Sequence, residues 1–214
     1  MAHLYYYDSA PPHFSEKSTR TLGRMLVRLS DFMHKKGIKQ IVGIGPTATP
    51  YVRAIARAHA NRYGVKLKVV ALGHAGERIS RAANDISIPL AADLLSNELA
   101  DCRKKTLLFD EIVDKGTQMK GIKAAFKHLQ IPHETATFAK HPRSCYSRLS
   151  FVGGNLLYLP WDFIRALQLR RGQLLSDYYS GTPGKRRYEV SLAFDHLRKV
   201  RKELREIANS VPRK

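Results

Sequence analysis

Residues 106–118 read Thr-Leu-Leu-Phe-Asp-Glu-Ile-Val-Asp-Lys-Gly-Thr-Gln, and this stretch decides the fold. Four apolar or β-branched residues run into the adjacent carboxylates Asp110 and Glu111, and a third carboxylate, Asp114, precedes a Gly-Thr pair. The pattern predicts a buried strand, a short polar loop and the start of a helix. Because ligands bind at the carboxyl ends of strands in an open α/β sheet, this stretch is a candidate binding site.

Strand and helix patterns alternate on both sides of this stretch, which predicts an α/β fold with a mostly parallel sheet flanked by helices. Residues 73–105 form a long insertion with a helical pattern near 89–100, and insertions of this length often serve as functional lids. The other predicted elements are helices over 17–36, 51–63 and 117–129 and strands over 40–45, 67–72, 134–140 and 155–159.

The C-terminal part of the chain has a different character. Residues 180–187 are typical of a hinge, and a basic amphipathic helix follows. Its apolar stripe consists of Val190, Phe194, Leu197, Val200, Leu204, Ile207 and Ala208. We therefore divide the chain into a core domain, 1–164, and a basic C-terminal extension, 165–214. The extension can bind nucleic acid or a protein partner, or it can join two copies of the chain in a dimer.

The charge is strongly positive, with 37 Lys and Arg against 18 Asp and Glu, a net charge of +19. Residues 165–214 carry 13 basic and 5 acidic side chains, so most of the excess lies in the rest of the chain. Such a field attracts nucleic acid and phosphorylated molecules. A solvated basic surface without a polyanionic partner is also compatible with this composition.

Composition also indicates the cellular compartment in which the protein works. The two cysteines, Cys102 and Cys145, are too few for a disulfide framework and too isolated for a zinc site. No apolar run is long enough to span a bilayer, and the first residues lack the pattern of a secretory signal. We therefore expect a cytoplasmic protein without a membrane partner.

The polar groups of residues 110–118 suit a phosphorylated sugar. Asp110 and Glu111 can accept hydrogen bonds from vicinal hydroxyls or hold a divalent metal ion. Amides at the start of the following helix can hold a phosphate, and Asp114 can act as a general base near the sugar. Ordinary capping carboxylates at the end of a strand would produce the same pattern.

This arrangement resembles the phosphoribosyl diphosphate signature of the type I phosphoribosyltransferases. Two further segments, Thr137-Phe138-Ala139-Lys140 and Leu159-Pro160-Trp161-Asp162, are similar in order and spacing to the bacterial xanthine-guanine branch of the 6-oxopurine enzymes. The resemblance is strongest over 106–163 and collinear over 36–72. It does not extend to 73–105 or to 164–214.

The resemblance implies a type I phosphoribosyltransferase-like fold and a specific reaction. The 5-phosphoribosyl group of phosphoribosyl diphosphate would pass to a 6-oxopurine base, with Mg²⁺ as the cofactor. The resemblance further implies binding of a purine base or nucleotide, and a homo-oligomer, most simply a dimer, is expected.

The resemblance also assigns roles to individual residues. Asp114 is implied as the catalytic carboxylate near purine N7, and Asp110 and Glu111 as the residues that hold the ribose and the metal ion. The phosphate-binding residues are Lys115, Gly116, Thr117 and Gln118. The diphosphate loop is Gly45, Pro46 and Thr47. The base-binding residues are Lys140, Tyr158 and Asp162.

The chain departs from the family pattern at several of these positions. Lys115 and Gln118 stand where the family has hydroxyl side chains, and the Gly45-Pro46-Thr47 loop lacks paired glycines, which makes it a degenerate diphosphate loop. A second interpretation is therefore a catalytically altered relative that binds a nucleotide or phosphoribosyl ligand. Its basic surface would then bind nucleic acid or a partner in a regulatory role. Lys140 as a solvated strand-end lysine and Asp162 as a helix N-cap also remain open.

Overall fold

The computed structural model describes residues 16–99, 104–113, 115–140, 148–155 and 185–214. These ranges contain helices α1 Glu16–Lys35, α2 Ala48–Tyr63, α3 His74–Arg81, α4 Ile88–Glu98, α5 Thr117–His128 and α6 Lys185–Asn209, and a π-helical turn at Ala82–Ile86. The strands are β1 Gln40–Gly43, β2 Lys68–Ala71, β3 Thr106–Val113, β4 His133–Lys140 and β5 Phe151–Asn155. None of the helices in these ranges is long and apolar enough to cross a membrane.

The five strands form one sheet in the order β2-β1-β3-β4-β5, and every neighbouring pair is parallel. The end of β1 is level with the middle of β3, since Gly43 pairs with Phe109. Farther along β3, Val113 pairs with Lys140 at the end of β4. The sheet confirms the predicted parallel α/β fold, and it brings the carboxyl ends of β1, β3 and β4 to one edge.

Helices cover both faces of the sheet because β3 is apolar on both sides. Leu107 and Phe109 face a cluster formed with α1, α2 and α6, whereas Leu108 faces a cluster formed with α3, α4 and α5. All three side chains are fully buried. An uninterrupted apolar run is typical of a parallel strand buried on both faces. The central strand thus fixes the two helical layers.

The C-terminal helix α6 belongs to the first of these clusters. The stripe residues buried there are Leu197, Val200, Leu204, Ile207 and Ala208. The side chains of Val190 and Phe194 lie outside the described part of the structure. The apolar stripe is confirmed at the five buried positions, where it packs onto the core of the same chain. The predicted division at residues 164 and 165 stays a prediction.

The end of the chain is tied to the C-terminal end of α2. Arg62 donates from Nε to Asp31 at 2.6 Å and from a terminal nitrogen to the second carboxylate oxygen at 3.1 Å. Arg62 also donates to the carbonyl oxygen of Pro212, and the amide of Lys214 donates to the carbonyl oxygen of Arg62. Tyr63 donates to Asp31 as well. This network links α1, α2 and the C-terminus.

Two predicted elements differ from the structure. The sequence predicts the fifth strand over 155–159, but β5 spans Phe151–Asn155, and residues 156–159 lie outside the described ranges. The first part of the predicted insertion, for which the sequence predicts no helix before residue 89, contains the helix α3 and a π-helical turn, which precede α4. Polar and charged residues alternate with few apolar ones in α3, so its sequence resembles a loop. Its buried contacts with the rest of the fold come from Gly76, Ile79 and Ser80.

We expect Gly76→Ala to unfold the region around α3. A Cβ atom at Gly76 would lie 1.8 Å from the carbonyl oxygen of Ile44, which is backbone and cannot rotate away. Overpacking of this kind should lower the free energy of unfolding by about 3 kcal/mol or more, as measured by urea denaturation.

The matched control is Gly23→Ala in α1, where the nearest neighbour of the new methyl group would be Ile207 at 4.0 Å. Alanine favours the helix over glycine, so this variant should be up to about 1 kcal/mol more stable. Equal urea midpoints for Gly76→Ala and the wild type would contradict the close packing of α3 on β1.

The Asp31–Arg62 pair predicts a pH dependence of stability. Hydrogen bonds from Arg62, with a further one from Tyr63, lower the pKa of Asp31. The stabilisation is therefore present above the unfolded pKa of about 3.9 and is lost as the pH falls through the lower folded pKa. Since the Asp31 side chain is 39% exposed, solvent screening limits its contribution to about 1 kcal/mol.

Asp31→Asn should accordingly lower the free energy of unfolding by about 1 kcal/mol at pH 7, and the difference from wild type should shrink below about pH 4. Urea denaturation at a series of pH values measures this. Asp93→Asn, at an exposed position of α4, is the control and should have little effect. If the difference in free energy of unfolding between Asp31→Asn and the wild type is independent of pH, this would contradict the lowered pKa of Asp31.

Candidate functional site

The turn after β1 leads directly into a helix N-terminus. The amide of Ile44 donates to the carbonyl oxygen of Phe109 at 2.9 Å, which extends the pairing with β3 by one residue. The amide of Ala48 then donates to the carbonyl oxygen of Gly45, and α2 begins. The peptide bond before Pro46 is trans, as are all others in the described ranges. The predicted diphosphate loop is therefore a tight turn at the carboxyl end of β1.

Glu111 is a buried carboxylate held by this turn. Its side chain is 6% exposed, and the hydroxyl of Thr47 donates to Oε1. The other oxygen, Oε2, has no hydrogen-bond partner among the described residues. Thr47 is the N-cap residue of α2, yet its side chain makes no capping hydrogen bond because it is directed to Glu111. The contact joins the end of β3 to the predicted diphosphate loop.

Asp110 precedes Glu111 in β3 and is also buried, at 8% exposure. Strict alternation of side chains between the two faces does not hold to the end of this strand, since Val113 packs in the same cluster as Leu108, five residues away. Glu111 contacts the N-terminus of α2 through Thr47. The two adjacent carboxylates are therefore both buried at the end of the central strand.

The predicted phosphate-binding segment lies beside the Gly45 turn. A Cβ atom at Gly45 would lie 3.8 Å from Oε1 of Gln118 and 3.7 Å from Oγ1 of Thr47. Gly116 has a φ of 76°, a left-handed conformation that favours glycine, and α5 begins immediately after it without a side-chain cap. The start of α5 and the start of α2 thus meet beside the end of β3, with Lys115 exposed next to them.

Two residues that the sequence interpretation missed hold the start of α5. Ser80 and Asn84 both donate to the carbonyl oxygen of Thr117, at 3.3 and 3.2 Å. They are four residues apart, which places them on one side of a helix, and this spacing was the only signal for their pairing. Gly121 permits the approach, since a Cβ atom there would lie 2.7 Å from the carbonyl oxygen of Ser80. The predicted insertion is therefore helical here, and it packs against the start of α5 at the candidate site.

The predicted base pocket is described only in part. Lys140 ends β4, is partly exposed, and is paired in register with Val113 and Asn155. This places it at the same edge of the sheet as the predicted phosphate site. Asp114, Tyr158 and Asp162 lie outside the described residues. Their roles, and that of Lys140 toward a base, stay predictions.

The arrangement of the carboxylates bears on the predicted magnesium site. No group of three or more His, Cys, Asp or Glu side chains within the described ranges is placed to hold a metal ion. Asp110 and Glu111 are buried next to each other at the end of β3, and Oε2 of Glu111 has no hydrogen-bond partner among the described residues. Mg²⁺ is commonly bound by one or two carboxylates together with substrate phosphates and water, and the role of these two residues as metal ligands stays a prediction.

Comparison with known proteins finds solved structures that are similar to this chain. No protein-family model and no curated protein matches the sequence. A purine phosphoribosyltransferase from Pyrococcus horikoshii is 12% identical, with 70% of this chain and 92% of that chain covered and a TM-score of 0.46. A hypoxanthine phosphoribosyltransferase from Staphylococcus aureus is 15% identical, with 66% and 86% covered and a TM-score of 0.46.

A third similar structure is the hypoxanthine phosphoribosyltransferase of Trypanosoma cruzi in complex with the product IMP. It is 15% identical, with 66% of this chain and 76% of that chain covered and a TM-score of 0.42. At these identities the likeness concerns the fold alone, and no activity follows from it.

The contact between Thr47 and Glu111 predicts a loss of stability on removal of the hydroxyl. Thr47→Val keeps the shape of the side chain but leaves the buried carboxylate of Glu111 without this donor. An unsatisfied buried acceptor should lower the free energy of unfolding by about 1–3 kcal/mol, as measured by urea denaturation.

Thr47→Ser keeps the hydroxyl and is the matched control, so it should remain within about 1 kcal/mol of the wild type. If the valine and serine variants unfold at the same urea concentration, the hydrogen bond to Glu111 does not hold the turn in place.

Proposed function

We propose that the protein is a purine phosphoribosyltransferase, which transfers the 5-phosphoribosyl group of phosphoribosyl diphosphate to a 6-oxopurine base. One observation carries this proposal. The Gly45–Thr47 turn packs against both Glu111 and Gln118, so the predicted diphosphate loop, ribose carboxylate and phosphate-binding helix start lie together. Two segments far apart in the sequence, 45–47 and 111–118, meet at one edge of a parallel sheet, where ligands of such sheets bind.

The proposed binding mode follows from the chemistry of these segments. The uncapped amides at the start of α5 hold the 5-phosphate, with the exposed Lys115 adding positive charge. The amides at the start of α2 face the diphosphate, and the hydroxyl of Thr47 is available to it once the contact with Glu111 opens. Glu111 then accepts hydrogen bonds from the ribose hydroxyls through its two oxygens.

The proposed reaction breaks the bond between C1 of the ribose and the diphosphate oxygen, and forms a bond between C1 and a ring nitrogen of the base. Diphosphate leaves with the bonding electron pair, and the base loses a proton. Asp114 takes or shares the proton at N7, and Lys140 donates a hydrogen bond to the 6-oxo group. Positive charge grows on the ribose as the bond breaks, and the nearby carboxylates stabilise it. Mg²⁺, when bound, would neutralise charge on the diphosphate.

Isothermal titration calorimetry with phosphoribosyl diphosphate and MgCl₂ tests the proposed site. We expect the wild type to bind and Glu111→Gln to bind about tenfold more weakly or worse, a loss of about 1.4 kcal/mol. The neutral amide is less costly to bury than the carboxylate, so the variant should be no less stable than the wild type in urea.

Glu98→Gln, at an exposed position of α4, removes the same charge away from the site and should bind like the wild type. Absence of binding by the wild type at millimolar ligand would contradict the proposal. Nucleotide formation should then be measured with guanine, xanthine and hypoxanthine. Binding without nucleotide formation from any base would favour the altered relative that only binds the ligand.

A further inference from the structure

A groove lined by arginines lies between α2 and α6, and it includes Thr49 and Pro50 in the first turn of α2. Its volume is about 570 Å³. Arg53 and Arg57 of α2 line one side, and Arg201 and Arg205 of α6 line the other. Residues four apart lie about 6 Å from each other along a helix axis. Each helix therefore contributes two cationic side chains in line along the groove.

The four arginines are exposed, and no carboxylate within the described ranges forms an ion pair with any of them. Helix α2 contains no acidic residue. On α6, Asp195 pairs with Arg198 and Glu206 pairs with Lys202, outside the groove. Like charges four residues apart destabilise a helix by about 0.2–0.5 kcal/mol per pair. The groove thus concentrates positive charge, and the repulsion between these charges lowers the stability of each helix.

The other residues that line the groove are mostly apolar. They are Pro50, Ala54, Ala60, Val69 and Leu204, together with the polar Thr49 and Asn61. Guanidinium groups bind phosphate with two parallel hydrogen bonds, and they are less strongly hydrated than ammonium groups. A single-stranded nucleic acid presents its phosphates in a row along the backbone, and its bases project from this backbone. Two rows of arginine with apolar groups beside them match this row of phosphates better than they match the scattered carboxylates of an acidic peptide.

We propose that the groove between α2 and α6 binds the phosphodiester backbone of a single-stranded nucleic acid through Arg53, Arg57, Arg201 and Arg205. The net charge of +19 supports the encounter because it attracts polyanions from a distance. This activity is distinct from the proposed phosphoribosyl transfer, since it uses the exposed arginine side chains of α2 and α6 rather than the Gly45–Thr47 turn and the start of α5.

Fluorescence anisotropy with a labelled single strand of about 20 nucleotides, at several salt concentrations, tests the proposal. Arg53→Gln/Arg57→Gln and Arg201→Gln/Arg205→Gln should each weaken binding about tenfold. Each should also reduce the magnitude of the slope of the logarithm of the binding constant against the logarithm of the salt concentration by about 1.4, because two phosphate contacts are lost. The matched control is Lys120→Gln/Lys127→Gln on α5, at the other face of the sheet, which removes the same charge from exposed positions.

Excess phosphoribosyl diphosphate should not displace the nucleic acid, and this result would distinguish the groove from the candidate site at the carboxyl ends of β1 and β3. Equal weakening by the arginine and lysine variants would show nonspecific attraction by net charge and would overturn the proposal. Failure of the wild type to bind the strand, or equal competition by polyglutamate of matched charge, would overturn it as well. Circular dichroism of every variant checks that the helices are intact.

Discussion

Burial of Glu111 at the end of the central strand is the constraint on which the candidate site depends. A carboxylate at 6% exposure is costly unless it is hydrogen-bonded, and the hydroxyl of Thr47 supplies that bond. Because Thr47 is also the residue that leads into α2, the contact fixes where the helix starts relative to β3. The turn at Gly45 is then held against Gln118 at the start of α5. One buried polar contact thereby organises three segments.

The sequence predicted the parts of the fold whose pattern is strong. β3 was evident because its apolar run ends abruptly in carboxylates, and α6 because its stripe repeats over several turns. The helix α3 was missed because its burial depends on Gly76, Ile79 and Ser80, which do not form an apolar stripe. The position of β5 was misjudged because the glycines in Phe151–Asn155 are unfavourable in a strand, although Gly153 lies close to the backbone of Phe138.

The composition of the site was easier to predict than its geometry. Gly45, Thr47 and Gln118 lie close together, and their roles toward a ligand stay predictions. The burial of Asp110 and Glu111 depends on how far β3 continues, and a sequence pattern fixes strand ends poorly. The hydrogen bond from Thr47 to Glu111 is a tertiary contact between residues 64 positions apart, and no local pattern signals it.

Hydrogen exchange of backbone amides, with and without phosphoribosyl diphosphate and MgCl₂, tests the central claim most directly. If the two helix starts form one phosphoribosyl site, the ligand should slow exchange in residues 44–49 and 115–120 together. Slower exchange confined to other segments, or no change at a ligand concentration that saturates binding, would contradict the assignment of the site to the carboxyl ends of β1 and β3.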